Sequence, residues 1–351
     1  MDMRRLGRTD MTVSSLCLGT MTFGEQNTKA AGFAQMDRAL EGGINFFDTA
    51  ELYAVPPKAA TVGRTEEIIG DWFEARNNRD QVILATKVVG RSGGMDWFRN
   101  DGSLPKLDRQ NIMEAVDKSL ARLKTDYIDL YQIHWPDRNM PSFGASPMRF
   151  KDPGRHEDEI PIEETLEVMS ELVKAGKIRA IGLSNESSWG AMKYLEAHRH
   201  MGLERVHSIQ NTYNLVNRTF EVNLAELAIR EDVRLLAYSS LGQGYLTGKY
   251  LNGARPKGAR RTLFARQARY EGPGADEAYT AYVALAKEFG IDAAQMAIAF
   301  TASRPFTTSN IIGATTLEQL DNALEAGDLT ITEELEDRIN ELHVIHGNPC
   351  P

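Results

Sequence analysis

Cysteine is nearly absent from this 351-residue chain: Cys17 and Cys350 stand at opposite ends. Two such residues exclude a disulfide framework and favour a cytoplasmic setting. Long apolar runs are missing as well. No stretch reaches the roughly 18 residues of a membrane span, and the opening MDMRRLGRTD has no apolar core like a signal peptide's. Net positive charge is also lacking. The formal net charge is −9, which argues against nucleic acid as a main partner, because phosphate binding needs a basic face. No Pro- or Ser-rich linker divides the chain. The seven histidines show no metal spacing, so no metal is expected. GQGYLTG at 242–248 is not the dinucleotide fingerprint, since its third Gly comes one residue late. Gly248-Lys249 lacks the P-loop spacing.

What is present is a globular composition, 42% hydrophobic and 25% charged, enough for a sizeable core. A unit recurs along the chain: an amphipathic helix, a Gly suited to a left-handed cap, a short apolar run, then a polar residue. MDRALEGGINFFDTA and SELVKAGKIRAIGLSN show it, and EVNLAELAIREDVRLLAYSS keeps the order without the Gly. Apolar strands alternating with helices imply a parallel sheet covered by helices. Eight strand candidates are found, at 16–20, 44–49, 82–88, 128–134, 178–185, 206–211, 234–240 and 310–315. Eight such units predict an α/β fold, a closed (β/α)8 TIM barrel. Residues 3–15 read as an N-terminal β-hairpin turning at Thr9-Asp10. One domain is expected over 1–343, with a short tail at 344–351.

Long loops at 91–108, 135–161 and 243–272 are expected over the C-terminal mouth. Their aromatics, Trp97, Trp135 and Phe143, point to a partly apolar pocket. The third loop carries Arg255, Lys257, Arg260, Arg261, Arg266 and Arg269. It is either a solvated charged loop or a clamp for a polyphosphate ligand.

Active sites of such barrels lie at the C-terminal ends of the strands. Strand two ends on Asp48, strand three on Lys87, strand four on His134. Tyr53 follows Asp48 in the loop above. Taken singly, each has a plain explanation as a turn residue, a snorkelling lysine or a core histidine. Jointly, a Lys, an Asp and a His at one mouth are costly unless paired and used. A second Asp/Tyr pair of the same spacing, Asp126 and Tyr131, brackets the body of strand four, so Tyr131 faces the helices. The first four residues make chemical sense together. A Lys ammonium about 4 Å from a phenol, at an effective dielectric of about 20, interacts by about 4 kcal/mol. It draws the Tyr53 phenol towards neutrality, while Asp48 supplies the ammonium's counter-charge. A phenol so placed acts as a general acid worth about 10²–10⁴ in rate. No side chain carries hydride, so redox chemistry needs a cofactor.

The stretches LGTMTFGEQN, FFDTAELY, ATKV, YIDLYQIHWPD, AGKIRAIGLSN, IQNTYN, LLAYSSLGQGYLTGKYLNG and IIGATTLEQL carry a resemblance over essentially the whole chain. The sequence resembles the aldo-keto reductase superfamily, in its bacterial Tas-like branch near the potassium-channel β-subunits. That resemblance implies an NADP(H)-dependent oxidoreductase reducing aldehyde or ketone carbonyls, with NAD(H) the lesser cofactor. It implies Asp48, Tyr53, Lys87 and His134 as catalytic residues, Tyr53 being the acid. Cofactor contacts would fall on Gly19, Thr20, Met21, Asp48, Ser184, Asn185, Gln210, Tyr238, Ser239, Leu241, Gly242, Gly244, Lys249, Gly313, Thr315, Gln319 and Asn322. Ser184, Asn185 and Gln210 would hold the nicotinamide carboxamide, and Tyr238 would stack on the ring. Near strand eight the chain departs from many members: Gly313-Ala314 replace Lys-Ser, Gln319 replaces Arg, and Asn322 lies one place early. The arginines of 255–269 are therefore the candidates for a 2′-phosphate. The alternative function is an NADP(H)-binding, redox-sensing subunit with little turnover. No protein partner is indicated.

Overall fold

A computed structural model describes residues 1–141, 151–264 and 268–351. Phe143 and Arg266 lie outside the described residues. The chain opens with an antiparallel hairpin, β1 (Met3–Arg5) and β2 (Thr12–Ser14). Eight parallel strands then close a barrel: β3 (Leu16–Gly19), β4 (Phe46–Asp48), β5 (Ile83–Val88), β6 (Ile128–Ile133), β7 (Ile178–Ser184), β8 (Val206–Thr212), β9 (Arg234–Tyr238) and β10 (Thr307–Ile312). Between them run α1 (Lys29–Glu41), α2 (Arg64–Arg76), α3 (Arg109–Leu123), α4 (Ile162–Lys174), α5 (Ser188–Met201), α6 (Leu224–Glu231), the short α7 (Arg260–Leu263), α8 (Ala275–Glu288) and α9 (Ala293–Ser303). α10 (Leu317–Glu325) and α11 (Glu333–His346) follow β10. The fold is the expected (β/α)8 barrel with its N-terminal hairpin. Among the described residues, no helix is long and apolar enough to cross a membrane.

Helix ends follow local chemistry. Thr28, Asp108 and Ser187 accept backbone N–H bonds at the starts of α1, α3 and α5, satisfying donors that have no partner inside the helix. In the recurring unit, Asp232 takes the left-handed turn (φ 53°) where no glycine is present.

The lower end of the barrel is plugged. Leu6, Met11 and Val13 of the hairpin pack with Cys17, Phe46, Ala85, Leu130, Ala180 and Leu236 of the barrel interior. Gly7 makes this possible. Its φ is +53°, and a Cβ there would stand 2.3 Å from the His207 carbonyl oxygen.

Two expectations change. The last strand begins at Thr307, three residues before the expected start, and Gly313 to Thr315 lie beyond its end. Its polar run is accommodated because Ser309 Oγ donates to the Ser14 carbonyl (2.8 Å) and Asn310 Nδ2 to the Ile298 carbonyl (3.2 Å). In addition, α11 runs through position 343 to His346. The segment after it is packed: Cys350 is buried, and its N–H donates to the Val216 carbonyl at 3.1 Å.

Candidate active site

Strand alternation puts Leu130 in the apolar plug layer and Gln132 one layer above it, with His134 just beyond the strand. Asp48 ends β4 opposite Ala85, and Lys87 stands two residues further along β5, in register with Gln132. Lys87 is 0% exposed and Asp48 2% exposed. The ammonium donates to Asp48 Oδ2 (2.7 Å), to the Thr49 carbonyl (2.7 Å) and to the Tyr53 hydroxyl (3.4 Å). Its three N–H groups are thereby all directed. Asp48 Oδ1 accepts from Gln210 Nε2 (2.7 Å) and Gln132 Nε2 (3.2 Å). The His134 ring stands edge-on to Tyr53, centroids 5.9 Å apart. Its Nδ1 is buried without a hydrogen-bond partner among the described residues. Tyr131 lies on the other face of β6, in the large core between sheet and helices.

Burial opposes the Lys87 charge most strongly, but Asp48 and Tyr53 outweigh it and its pKa is raised. The lysine therefore stays an ammonium. Burial, with a contribution from Lys87, holds His134 well below its ordinary value, so the ring is neutral at neutral pH. Tyr53 corrects an expectation. The crowded surroundings of its hydroxyl push its pKa up, and the pull of Lys87 does not reverse this. The phenol is a held proton rather than one drawn towards neutrality.

The other expected residues line the rim from β7 round to β4. Ser184 Oγ donates to the Gln210 carbonyl (2.9 Å), Asn185 Nδ2 to the His134 carbonyl (2.8 Å) and Tyr238 hydroxyl to Asn185 Oδ1 (2.7 Å). The Gln210 amide nitrogen is turned down onto Asp48. Gly19 pairs in register with Asp48, and Thr20 donates to the Asp48 carbonyl through N–H (3.1 Å) and hydroxyl (2.8 Å). Met21 Sδ accepts from Arg260 at 3.9 Å.

Beyond β9 the backbone turns left-handed at Ser239, Gly242, Gln243 and Gly244 (φ 60°, 54°, 56° and 97°). Leu241 anchors this loop, its carbonyl accepting the Gly244 N–H at 2.9 Å. Left-handed runs of this kind turn successive N–H groups into anion-binding concavities. Lys249 sits over the loop, its Nζ 3.0 Å from where a Cβ on Gly244 would be. Its side chain is exposed, and partial desolvation lowers its pKa. At β10, a Cβ on Gly313 would meet nothing within 4 Å. Thr315 donates through N–H (2.9 Å) and hydroxyl (3.1 Å) to Gln319 Oε1. Asn322 lies nearly a turn further along α10.

The loop arginines do not act alike. Arg261 pairs with Glu271 (2.8 Å) and Arg255 donates to the Arg261 carbonyl (3.1 Å). Arg260 reaches Met21 beside the mouth. Arg269 sits against the Tyr238 and Tyr270 hydroxyls, which raise its pKa against the larger influence of burial.

Sequence reasoning missed Glu51 and Arg99. Glu51 lies between Asp48 and Tyr53, is fully buried, and accepts the Val89 N–H at 2.7 Å. Arg99 meets both its oxygens (3.0 and 3.1 Å) and donates to Asn111 Oδ1 at 2.7 Å. A buried carboxylate inside an otherwise apolar stretch was the available signal; its partner lies 48 residues away. Above the pair, Ala50, Leu52, Val89 and Phe98 pack with Tyr53, Val62, Met95 and Trp135. Arg91 ties the loops after β5 and β6 together, meeting Asp137 (2.8 Å) and Asp158 (3.0 Å).

A model of the Aldo/keto reductase family matches residues 15–344. The protein tas of Escherichia coli (strain K12) is 46% identical over 352 residues, covering all of both chains. YrpG of Bacillus subtilis (strain 168), described as an uncharacterized oxidoreductase, is 33% identical over 356 residues, covering 100% of this chain and 98% of its own. Norsolorinic acid reductase stcV of Emericella nidulans is 30% identical over 333 residues, covering 92% and 76%. A match that begins at the edge of β3 and ends inside α11 takes in the whole barrel and both sides of its mouth. The chain belongs to the aldo/keto reductase family and is an oxidoreductase.

Proposed function

We propose that this protein reduces the carbonyl group of aldehydes or ketones to alcohols at the expense of NADPH. The observation that carries the reading is the buried Lys87–Asp48 pair with the Tyr53 hydroxyl 3.4 Å from the ammonium. NADPH, when bound, supplies the hydride. Tyr53 gives its proton to the carbonyl oxygen. Lys87 stabilises the phenolate that remains, and Asp48 keeps Lys87 charged. Neutral His134, its ring edge-on to Tyr53 with centroids 5.9 Å apart, orients the carbonyl oxygen by a hydrogen bond.

The residues present fit the cofactor. The left-handed turns from Ser239 to Gly244 and the exposed Lys249 suit a pyrophosphate. Gly19, Thr20, Met21 and Leu241 would frame it. Ser184, Asn185, Gln210 and Tyr238 would receive the nicotinamide. Gly313, Thr315, Gln319 and Asn322 would border the adenosine, with the open space at Gly313 in place of a larger side chain. Arg260 reaches Met21 Sδ beside the mouth at 3.9 Å, and its guanidinium there would meet a 2′-phosphate. NADP(H) is favoured over NAD(H) on that account. The apolar wall of Phe98, Met95 and Trp135 beside Tyr53 suits a carbonyl carried on an apolar group.

The test is direct. Purified protein with NADPH is offered a panel of aldehydes and ketones, beside Tyr53→Phe. Reduction by the wild type and a loss of about 10²–10⁴ in kcat for the variant are expected. No reduction of any substrate, or full activity in Tyr53→Phe, would sink the reading.

A further inference from the structure

Gln132 is a polar side chain one layer above the apolar plug of the barrel. Two residues earlier on the same face, Leu130 packs with Ala85, Ala180 and Leu236. Gln132 is fully buried, and a buried amide is costly unless its hydrogen bonds are made. Its Nε2 donates to Asp48 Oδ1 at 3.2 Å, and its Oε1 accepts from Gln210 Nε2 at 3.3 Å. Gln210 donates to the same Asp48 oxygen at 2.7 Å. The carboxylate oxygen and two amides thus close a triangle.

The neighbouring strands make room for this side chain. In register, Gln132 lies between Lys87 of β5 and Gly182 of β7. A Cβ at Gly182 would stand 2.9 Å from Gln132 Cγ and 2.7 Å from Ser208 Oγ. A larger residue on β7 would push the amide away from Asp48.

We propose that Gln132 is a positioning residue for the acid–base group, fixing Asp48 through Oδ1 so that Oδ2 stays aimed at Lys87. This rests on the reading of Tyr53, Lys87 and Asp48 as that group. Gln210 shares the task, but it also faces the cofactor residues of β7 and β9. Among the described residues, the Gln132 side chain bonds only to Asp48 and Gln210. It is the donor that keeps Asp48 in place when a ligand engages Gln210. A carboxylate that loses a hydrogen bond at one oxygen turns more freely and holds the Lys87 ammonium less firmly.

The experiment uses the full chain with Gln132→Leu and Gln132→Met, the second with an unbranched stem that follows the path of the glutamine. We expect kcat to fall about tenfold, while KM and the NADPH dissociation constant stay within about twofold. The basic limb of the kcat profile should move about half to one unit lower, because Lys87 gives up its proton more readily. A readout without turnover accompanies these: the ¹³Cζ resonance of labelled Tyr53, assigned by its loss in Tyr53→Phe, should move in both variants. Unchanged kcat and basic limb in a folded variant would overturn the proposal, as would a kcat loss matched by equal loss of NADPH affinity. If the wild type itself reduces no carbonyl with NADPH, the functional reading has failed separately. The Tyr53 resonance then decides for Gln132, and a resonance that does not move rejects it.

Discussion

Glu51 and Arg99 form a two-pronged ion pair at 3.0 and 3.1 Å with neither side chain open to water. It joins the loop that carries Tyr53 to the loop after β5. Breaking such a pair leaves one charge buried alone, at about 3–5 kcal/mol. Glu51→Leu and Arg99→Leu should each lose about that much in urea denaturation. The double variant should lose clearly less than the sum, because it strands no charge. Additive losses would mean that the two charges do not depend on each other.

Lys249 stands over the left-handed loop with its pKa lowered by desolvation. An anion settling there needs the ammonium form. Lys249→Met should weaken NADPH and NADH alike, by about tenfold, in fluorescence titrations. The wild-type affinity should fall on the alkaline side before the ordinary lysine range is reached. A selective loss of NADPH alone would assign Lys249 to the 2′-phosphate instead.

Acid should destabilise the fold earlier than its carboxylates require. Burial, then nearby Arg205 and His198, lower the pKa of His207 to about 4, and His134 is lowered well below its ordinary value. At pH below about 6.5 the unfolded chain takes up protons that the folded chain refuses, so stability falls with falling pH. The unfolding free energy from urea titrations should drop between pH 7 and about 4.5, by at least about 2 kcal/mol in total. His207→Gln should flatten part of that slope. A flat profile over this range would contradict the neutral, buried state of both rings.

Gly7→Ala should destabilise by about 2–4 kcal/mol, combining a left-handed backbone with a contact against the His207 carbonyl. Gly253→Ala is the control, since φ is +76° there but a Cβ meets nothing within 4 Å. It should cost only the backbone part, about 1–2 kcal/mol. Equal losses in thermal melts would show that the plug tolerates the added methyl.

Much of this was legible in the chain because barrel units repeat a strong local signal. Apolar strand, polar end and helix can each be read within about twenty residues, and Asp48, Lys87 and His134 each terminate such a unit. β10 was misplaced because it opens on Thr-Thr-Ser-Asn, a polar run in which Ser309 finds its partner as far away as Ser14. Glu51 gave no local sign of Arg99. The direction of the Gln210 amide depends on which acceptor lies nearest in space. The Tyr53 proton was misjudged for a related reason: the pull of one lysine can be estimated from a spacing, whereas the desolvation that outweighs it depends on the whole surroundings.

The hairpin plug has a consequence for proton traffic. Leu6, Met11 and Val13 fill the lower end with an apolar layer between the solvent below and the barrel interior. Protons that replenish Lys87 and Tyr53 are then expected from the mouth, the side a ligand would cover. A bound ligand would then act as a stopper, and deuterium from the solvent should reach the Tyr53 hydroxyl only as fast as the ligand leaves.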